Sequence, residues 1–242
     1  MDKYHYDAEK TLDEFHWWYV GRRSILKNIL DKYIGRIGKI KILEIGCGSG
    51  GNLGFLSKYG DLSAMELNDD ARIHAKSKNI CEVKYGKLPN GIPFNEKFDI
   101  ICLFDVLEHI EEDDLSLQTI YKYLNKGGKV IITVPAFMFL WSKHDEMSHH
   151  KRRYKKSQIN NMLRCTGFTV NYSSYFNSLL FPIILIIRLF ERLINSSIRK
   201  NDLREENKII NYIFKKIFTL ESMLLPSVSL PLGVSIISIG RK

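Results

Sequence analysis

The sequence lacks an apolar segment long enough to cross a bilayer. Its longest uninterrupted apolar run, residues 179–187, has nine residues and includes Pro182, whereas a membrane-spanning helix needs about 20. The chain begins MDKYHYDAEKTLDEF, a charged segment without the apolar stretch of a signal peptide. We therefore expect neither a transmembrane helix nor a secretory leader, and we expect a cytoplasmic protein.

Cysteine is scarce, and internal repeats and low-complexity tracts are absent. The cysteines lie far apart and form no C-x-x-C pair, which indicates reduced thiols; they are Cys47, Cys81, Cys102 and Cys165. With 242 residues, of which 45% are apolar, the chain can bury the core of one domain with an elaboration.

Acidic residues are few in the last third of the chain. Residues 151–242 contain 16 Lys and Arg against 5 Asp and Glu, whereas residues 1–150 contain 20 against 22, so the net charge of +9 arises in the last third. The basic residues there are interleaved with aliphatic residues, whereas nucleic-acid-binding surfaces combine basic and aromatic residues. This pattern argues against nucleic acid as a partner and leaves an acidic substrate or an anionic membrane surface.

Strands and helices alternate regularly along the middle of the chain. Nearly unbroken apolar strands with helices between them are typical of a parallel sheet covered on both faces. We predict strands at residues 41–45, 61–67, 81–85, 98–104, 129–134, 168–175 and 234–240, and helices at residues 52–59, 69–77, 115–124 and 158–165. The predicted fold class is α/β, with a Rossmann-like, mostly parallel, seven-stranded sheet and helices on both faces.

Two helical additions flank this sheet. Residues 1–34 are predicted as an N-terminal helical cap in which Gly21 separates two helices. Residues 176–231 are predicted as a helical insertion before the last strand, rich in apolar and basic residues. The Rossmann-like domain then comprises residues 35–175 and 232–242.

A glycine-rich turn follows the first predicted strand. Residues 43–52 read LEIGCGSGGN and lead from a strand into a helix, a context in which glycines let the backbone approach a ligand closely. Glu66 ends the next strand, 20 residues after Gly46, where a carboxylate can bind both hydroxyls of a ribose. The pattern predicts a ligand that contains a ribose.

The same glycines leave a second interpretation open. Gly46, Gly48 and Gly51 fit the G-x-G-x-x-G spacing, which by itself is a weak indication of an NAD(P)-dependent oxidoreductase. Glu44 argues against this alternative, because a carboxylate there would repel a pyrophosphate but suits the ammonium group of an amino-acid ligand.

Three ordered motifs resemble those of class I S-adenosylmethionine-dependent methyltransferases. They are ExGxGxG at residues 44–50, FDIICLFDVLEHI at residues 98–110 and LNKGGK at residues 124–129. The resemblance covers residues 40–175. It implies a methyltransferase whose cofactor is S-adenosyl-L-methionine, and it does not identify the methyl acceptor.

The resemblance also implies which residues bind the cofactor. Glu44 and the backbone of residues 46–50 would hold the methionine portion, and Glu66 would hold the ribose. Many family members have an acidic residue after the third strand, where this chain has Lys87 and Leu88, so adenine contacts there would come from the backbone. The complete predicted set is Glu44, Gly46, Cys47, Gly48, Gly50, Asn52, Glu66, Leu67, Lys87, Leu88, Asp105, Val106 and His109.

Two further segments resemble a bacterial subgroup of these methyltransferases. FHWWYVGRR at residues 15–23 resembles its N-terminal signature, and residues 134–154 resemble its stretch after strand five. Members of the subgroup often accompany polysaccharide or glycolipid biosynthesis. The residues predicted to contact the acceptor are Trp18, Arg23, His144, Asp145, Arg152, Arg153 and Tyr154.

Histidines supply the candidate general bases. His109, His144 and His149 are predicted as catalytic because imidazole can accept a proton at neutral pH, although His109 could also simply pack on its helix. His144, Asp145, His149 and His150 have the donor types of a metal site. His149 and His150 are adjacent, and no His pair has i, i+4 spacing on a predicted helix, so we predict no metal site. The remaining interpretations of this segment are a solvated polar loop, acceptor binding or base catalysis.

The insertion limits the kind of acceptor. Residues 179–194 are nearly apolar all round, with Arg188, Glu191 and Arg192 only towards the end. Such a segment forms either a lid on the domain or a contact with a lipid interface at the inner face of the membrane. We predict in-line methyl transfer to an oxygen or nitrogen atom of the acceptor. The acceptor is expected to be a small molecule, a saccharide, or a lipid-linked or glycolipid-like compound, and RNA methylation is a further alternative. The number of subunits is left open.

Overall fold

Seven strands form one sheet in the order β3-β2-β1-β4-β5-β7-β6. In the computed structural model, which describes residues 12–35, 40–193 and 207–242, the pairs from β3 to β5 are parallel, and β7 runs antiparallel to both β5 and β6. This arrangement confirms the predicted fold class. The strands are β1 (Lys41–Ile45), β2 (Asp61–Glu66), β3 (Glu82–Tyr85), β4 (Phe98–Phe104), β5 (Leu124–Pro135), β6 (Thr169–Phe176) and β7 (Ser235–Arg241).

Helices cover both faces of the sheet, and most lie between consecutive strands. They are α1 (Trp17–Tyr33), α2 (Leu53–Leu56), α3 (Asp69–Ser77), α4 (Asp113–Tyr123), α5 (Lys143–Met147), α6 (Lys156–Thr166), α7 (Phe181–Leu193) and α8 (Lys208–Leu224). Two short 3-10 turns occur at Leu107–His109 and Met138–Leu140.

The central strands are apolar on both faces because both faces are buried. Successive side chains of a strand point to opposite faces, so Ile42 and Leu43 belong to two different core clusters. Cys102 and Leu103 of β4 divide in the same way. The sheet therefore separates two apolar layers and is held rigidly at its centre, where its strands lead into the candidate site.

The predicted break at Gly21 is wrong. The helix α1 continues through Gly21 from Trp17 to Tyr33. A Cβ atom at Gly21 would lie 2.2 Å from Cδ1 of Phe218 in α8, so this glycine permits close packing of two helices. The amide of Asn28 reinforces the contact by donating to the carbonyl of Ser222 at 2.6 Å.

The first helix of the insertion, α7, has an unusual distribution of side chains. Its exposed positions include Ile183, Ile186, Leu189 and Phe190, whereas Arg188 is only 9% exposed. No helix within the described ranges is both long enough and apolar enough to span a membrane. Ile194, Arg199, Lys200 and Arg204 of the insertion lie outside the described residues.

Candidate active site

A cavity of about 1330 Å³ opens at the carboxyl ends of the parallel strands. It lies where β1 neighbours both β2 and β4, so the chain leaves these strands towards opposite sides of the sheet. Such a switch point is the usual ligand site of an open α/β sheet. Residues from all four strand ends that surround it line the cavity, among them Ile45, Glu66, Phe104 and Pro135.

The glycine turn forms one side of this cavity. Gly46 and Gly48 have φ values of +68° and +53°, which L side chains adopt only with strain. The N–H of Gly48 donates to Oε2 of Glu66 at 2.9 Å, and the N–H of Asn68 donates to its Oε1 at 2.8 Å. The Glu66 carboxylate thus fixes the turn while facing the cavity.

Two predicted cofactor residues lie behind this lining. Glu44 is 1% exposed and accepts a hydrogen bond from Nδ2 of Asn52 at 2.8 Å, and Asn52 itself lines the cavity. A Cβ atom at Gly50 would lie 2.9 Å from Leu53 and 3.3 Å from Ala75. Both residues support the turn from the core rather than from the cavity wall.

The end of the cavity next to β2 and β3 is open, and apolar side chains lie there among polar ones. Leu67 and Tyr85 line it and are 49% and 55% exposed, and Lys87 and Leu88 lie beside them. A flat heterocycle fits between such side chains. A carboxylate at Glu66, a turn with positive φ and an apolar slot together fit the ribose, amino-acid and adenine parts of S-adenosylmethionine.

An ion pair joins α1 to the fourth strand within the cavity. Arg22 contacts the carboxylate of Asp105, and Asp105 has a positive φ of 58° and follows the end of β4. Arg23, which was predicted to contact the acceptor, instead pairs with Asp13 at 2.5 Å and does not line the cavity. Trp18 does line the cavity, and its ring lies 6.2 Å from that of Phe176.

Three histidines meet in the cavity, namely two of the three predicted as bases together with His150, and a fourth, His16, lines the cavity next to α1. His109, His144 and His150 line it, whereas His149 does not. The ring of His150 lies 4.7 Å from that of His109 and 5.8 Å from that of His144. Burial, and after it the nearby His150, lowers the pKa of His109 to about 3, so His109 is neutral and accepts a proton poorly.

Asp145 holds His150 in place. Asp145 is fully buried and receives hydrogen bonds from Arg153 Nε at 2.7 Å, Arg153 Nη2 at 2.8 Å and His150 Nδ1 at 2.8 Å. Burial alone would raise the pKa of Asp145, but the hydrogen bonds from His150 and Arg153 hold it well below its usual range. An ionised carboxylate only accepts, so Nδ1 of His150 carries the proton.

Two further predicted acceptor residues brace the loop instead of facing the cavity. Arg152 Nη1 donates to Oδ2 of Asp113 at 2.9 Å, and the hydroxyl of Tyr154 donates to the same oxygen at 2.9 Å. Neither lines the cavity, and neither does Asp145. Arg153 touches the cavity, but its guanidinium is engaged with Asp145.

Glu108 is a fully buried carboxyl at the edge of the histidine group. Within the described residues neither of its side-chain oxygens has a hydrogen-bond partner, and Oε1 lies 3.9 Å from Nε2 of His150. Glu108, His109 and His150 each offer a ligand atom within 4.8 Å of the others. Burial, together with the nearby Asp105, raises the pKa of Glu108 well above its usual range, which favours a neutral carboxyl.

The variant Glu108→Gln tests this protonation state. A carboxyl that is protonated in the folded protein ionises on unfolding above its ordinary pKa of 4.5, so the free energy of unfolding of the wild type falls as pH rises towards the folded pKa. Glutamine removes this proton release. We compare the free energy of unfolding of Glu108→Gln with that of the wild type by urea unfolding. The difference should shift in favour of Glu108→Gln by about 1–2 kcal/mol as the pH rises from 5 to 7. A loss of stability at pH 7 would instead indicate an ionised Glu108, as in a divalent cation site with His109 and His150.

Sequence reasoning missed several residues that line the cavity. Arg22, Glu108 and His150 each stand next to a predicted site residue in the sequence. Only the geometry of the helix or loop shows whether one or both residues of each pair line the cavity. Asn177 and Arg188 come from the end of β6 and from α7, where no motif marks them. An arginine within the apolar run of α7 was the available signal for Arg188.

Comparison with known proteins agrees with this geometry. A family model described as a methyltransferase domain matches residues 21–173. The chain is 24% identical over 115 residues to a ubiquinone biosynthesis O-methyltransferase of Acinetobacter baylyi, covering 44% of this chain and 48% of that one. It is 35% identical over 132 residues to the protein of the same name from Glaesserella parasuis, covering 48% and 55%. The chain thus spans about half the length of these curated relatives.

A solved structure extends the likeness to the whole fold. A SAM-dependent methyltransferase from Archaeoglobus fulgidus superposes with a TM-score of 0.60 at 18% identity, covering all of both chains. At that identity the likeness concerns the fold alone. Because the family model covers more than half of the sequence, the chain belongs to the methyltransferase domain family, whose cofactor is S-adenosylmethionine.

Proposed function

We propose that the protein transfers a methyl group from S-adenosylmethionine to a hydroxyl oxygen of an amphiphilic acceptor. The observation that carries this proposal is a single cavity that contains both the glycine turn with Glu66 and a histidine held by a buried carboxylate. When bound, the cofactor supplies an activated methyl group. The protein's own contribution is to position the two partners and to receive a proton.

His150 is the proposed general base. Its Nδ1 proton is committed to Asp145, so Nε2 of the neutral ring has the lone pair that can accept a proton from an acceptor hydroxyl. Asp145 then stabilises the imidazolium, and Arg153 keeps Asp145 ionised. His109 and His144 would surround the acceptor rather than take its proton.

Apolar side chains elsewhere in the cavity lining support an acceptor that has an apolar portion. Trp17, Ile184, Ile187 and Phe214 line the cavity together with the polar groups. The relatives named as ubiquinone biosynthesis O-methyltransferases support oxygen over nitrogen as the acceptor atom. A saccharide-linked or lipid-linked hydroxyl compound agrees with both features, and an RNA acceptor or a nicotinamide cofactor has no support in them.

Calorimetry tests the cofactor. We expect S-adenosylmethionine and S-adenosylhomocysteine to bind with micromolar Kd and Glu66→Ala to weaken binding by about 1–3 kcal/mol, because it removes charge-assisted hydrogen bonds to the ribose and loosens the turn at Gly48. Glu82→Ala, an exposed carboxylate of the adjacent strand β3, is the matched control. Tighter binding of NAD than of either adenosyl compound would contradict the assignment.

The outer surfaces of α7 and α8 support contact with an anionic membrane. Ile183, Ile186 and Phe190 recur along α7 at helical spacing, and exposed apolar side chains recur likewise along α8. Lys208 and Lys216 are exposed on α8. Outward-facing apolar residues with adjacent lysines are typical of helices that lie in a lipid interface, which would give the cavity access to an acceptor held in the membrane.

Vesicle sedimentation tests this contact. We expect binding to anionic vesicles at low salt and weaker binding at high salt, since each exposed cation near the surface contributes about 1 kcal/mol and is screened by salt. Ile186→Ser with Phe190→Ser should reduce binding without changing the affinity for S-adenosylhomocysteine. Leu185, adjacent in sequence, packs against the core and is unsuitable for this purpose. Ile73→Ser, at an exposed position of α3, is the control, and absence of binding at low salt would leave α7 as a lid only.

A further inference from the structure

Part of the cavity wall has no role in cofactor binding or in the histidine group. It comes from the end of β6, from α7 and from α8, and it comprises Asn177, Ile184, Ile187, Arg188 and Phe214. Three of these side chains are apolar, one is an amide and one is a guanidinium. This composition suits a ligand that has a polar group and an apolar part.

Asn177 is the first indication of a ligand here. The residue is 1% exposed, and within the described part of the chain neither Oδ1 nor Nδ2 has a hydrogen-bond partner. Burying an amide without partners is unfavourable, and most buried polar groups in proteins are paired. Because Asn177 lines the cavity, a bound molecule is the natural source of the missing partners.

The backbone presents Asn177 to the cavity in a fixed conformation. Asn177 has a φ of 57°, a left-handed conformation that asparagine adopts more readily than most residues. The next residues are held by Glu221 of α8, which is fully buried and accepts from the N–H groups of Ser178 at 2.6 Å and Leu179 at 3.0 Å. The amide is therefore preorganised before any ligand arrives.

Arg188 is the second indication. Residues 181–190 read FPIILIIRLF, so Arg188 is the one charged residue of this segment. It lines the cavity, whereas its apolar neighbours Ile186 and Leu189 are exposed. A guanidinium in a largely apolar enclosure binds carboxylate and phosphate groups through paired N–H donors.

We propose that Asn177 and Arg188 form an acceptor subsite for an oxyanion group, a carboxylate or a phosphate, on an amphiphilic molecule. Arg188 binds the oxyanion, Asn177 hydrogen-bonds the polar part next to it, and Ile184, Ile187 and Phe214 contact the apolar chain. This subsite rests on the proposed methyltransferase function, because it assigns the chemical class of the acceptor in the same cavity.

The test compares three soluble amphiphiles with the same chain. Octyl phosphate, octanoate and the neutral octyl glucoside are titrated calorimetrically into the full chain, with and without S-adenosylhomocysteine. We expect at least one of the two anions to bind ten-fold or more tightly than octyl glucoside, and the tighter anion identifies the source of the oxyanion. Arg188→Gln should abolish this preference, whereas Lys208→Gln, which removes an exposed charge of α8, should leave it unchanged. Equal affinity for all three amphiphiles would overturn the proposal.

Two variants of Asn177 separate ligand binding from a purely structural role. Asn177→Gly keeps the left-handed backbone available and removes the amide, so we expect a protein as stable as the wild type that binds the preferred anion at least five-fold more weakly. Asn177→Asp keeps the shape and adds a negative charge, and it should weaken the anion further. Wild-type anion affinity in Asn177→Gly would overturn the role of Asn177. Both variants should bind S-adenosylhomocysteine normally, and failure of the wild type to bind it would contradict the cofactor proposal separately from the anion result.

Discussion

Gly48→Val is expected to weaken the binding of S-adenosylhomocysteine at least 100-fold, which corresponds to about 3 kcal/mol. Gly48 has a φ of +53°, and a β-branched residue is strongly disfavoured there. The turn would have to change conformation, and the N–H of Gly48 would lose its hydrogen bond to Glu66. The substitution therefore disturbs both the backbone of the turn and the Glu66 carboxylate, which is proposed to bind the ribose.

Gly54→Val is the matched control for this experiment. Gly54 lies six residues further on in α2, has no positive φ, and a Cβ atom there would meet only Cδ1 of Ile80 at 3.9 Å. We expect it to bind S-adenosylhomocysteine as the wild type does. Thermal unfolding of both variants establishes that they are folded. Wild-type affinity in a folded Gly48→Val protein would mean that the turn has only a structural role.

The sheet could be predicted closely because its strands are buried on both faces. Buried parallel strands are continuous apolar runs bounded by turns, and β1 and β4 were predicted with the ends that the structure gives them. The helix break at Gly21 was predicted wrongly because a glycine that breaks a helix and a glycine that admits a neighbouring helix look the same in a sequence. Only Phe218, nearly 200 residues away, distinguishes the two.

Local motifs placed the residues of the proposed cofactor half of the cavity, but they did not place those of the proposed acceptor half. Gly46, Gly48 and Glu66 occupy positions dictated by one strand-turn-helix-strand unit, β1 to β2, so their spacing suffices to place them. Arg22 and Arg23 are adjacent on a helix and point in directions about 100° apart, and the sequence does not say which face of α1 meets the cavity. The same ambiguity affects His149 and His150, which are adjacent in a turn where His149 has a positive φ, and of which only His150 lines the cavity.

The acceptor half also depends on contacts between distant elements. His150 is oriented by Asp145, and Asp145 by Arg153, all within one loop whose motif was recognised but whose internal bonds were not. Asn177 lines the cavity only because β6 lies at the edge beyond β7 and because Glu221 holds the residues that follow. Such placement arises from tertiary packing, which residue spacing does not encode.

His150→Gln is expected to lower methyl transfer to a hydroxyl acceptor by 100-fold or more, because a positioned general base typically contributes a factor of about 10² to 10⁴. Glutamine can donate its amide N–H to Asp145 as Nδ1 of His150 does, so the buried carboxylate stays satisfied while the proton acceptor is lost. The assay uses methyl-labelled S-adenosylmethionine with 4-octylcatechol as a hydroxyl acceptor and octylamine as a nitrogen acceptor. His144→Gln and His109→Gln, in the same cavity, are the matched variants and should each retain more activity than His150→Gln.

A measurement that needs no acceptor examines the same assignment. In the wild type, nitrogen NMR should show a proton on Nδ1 of His150, because the ionised Asp145 accepts from that atom and the hydrogen bonds from His150 and Arg153 hold the pKa of Asp145 low. Asp145→Asn would be ambiguous on its own, since it leaves Arg153 buried without its anion and such a loss is strongly destabilising. The decisive comparison is therefore between the ring tautomer of His150 and the activities of the three histidine variants. A proton on Nε2 but not on Nδ1 of His150, or a loss of activity in His144→Gln as large as in His150→Gln, would transfer the role of base away from His150.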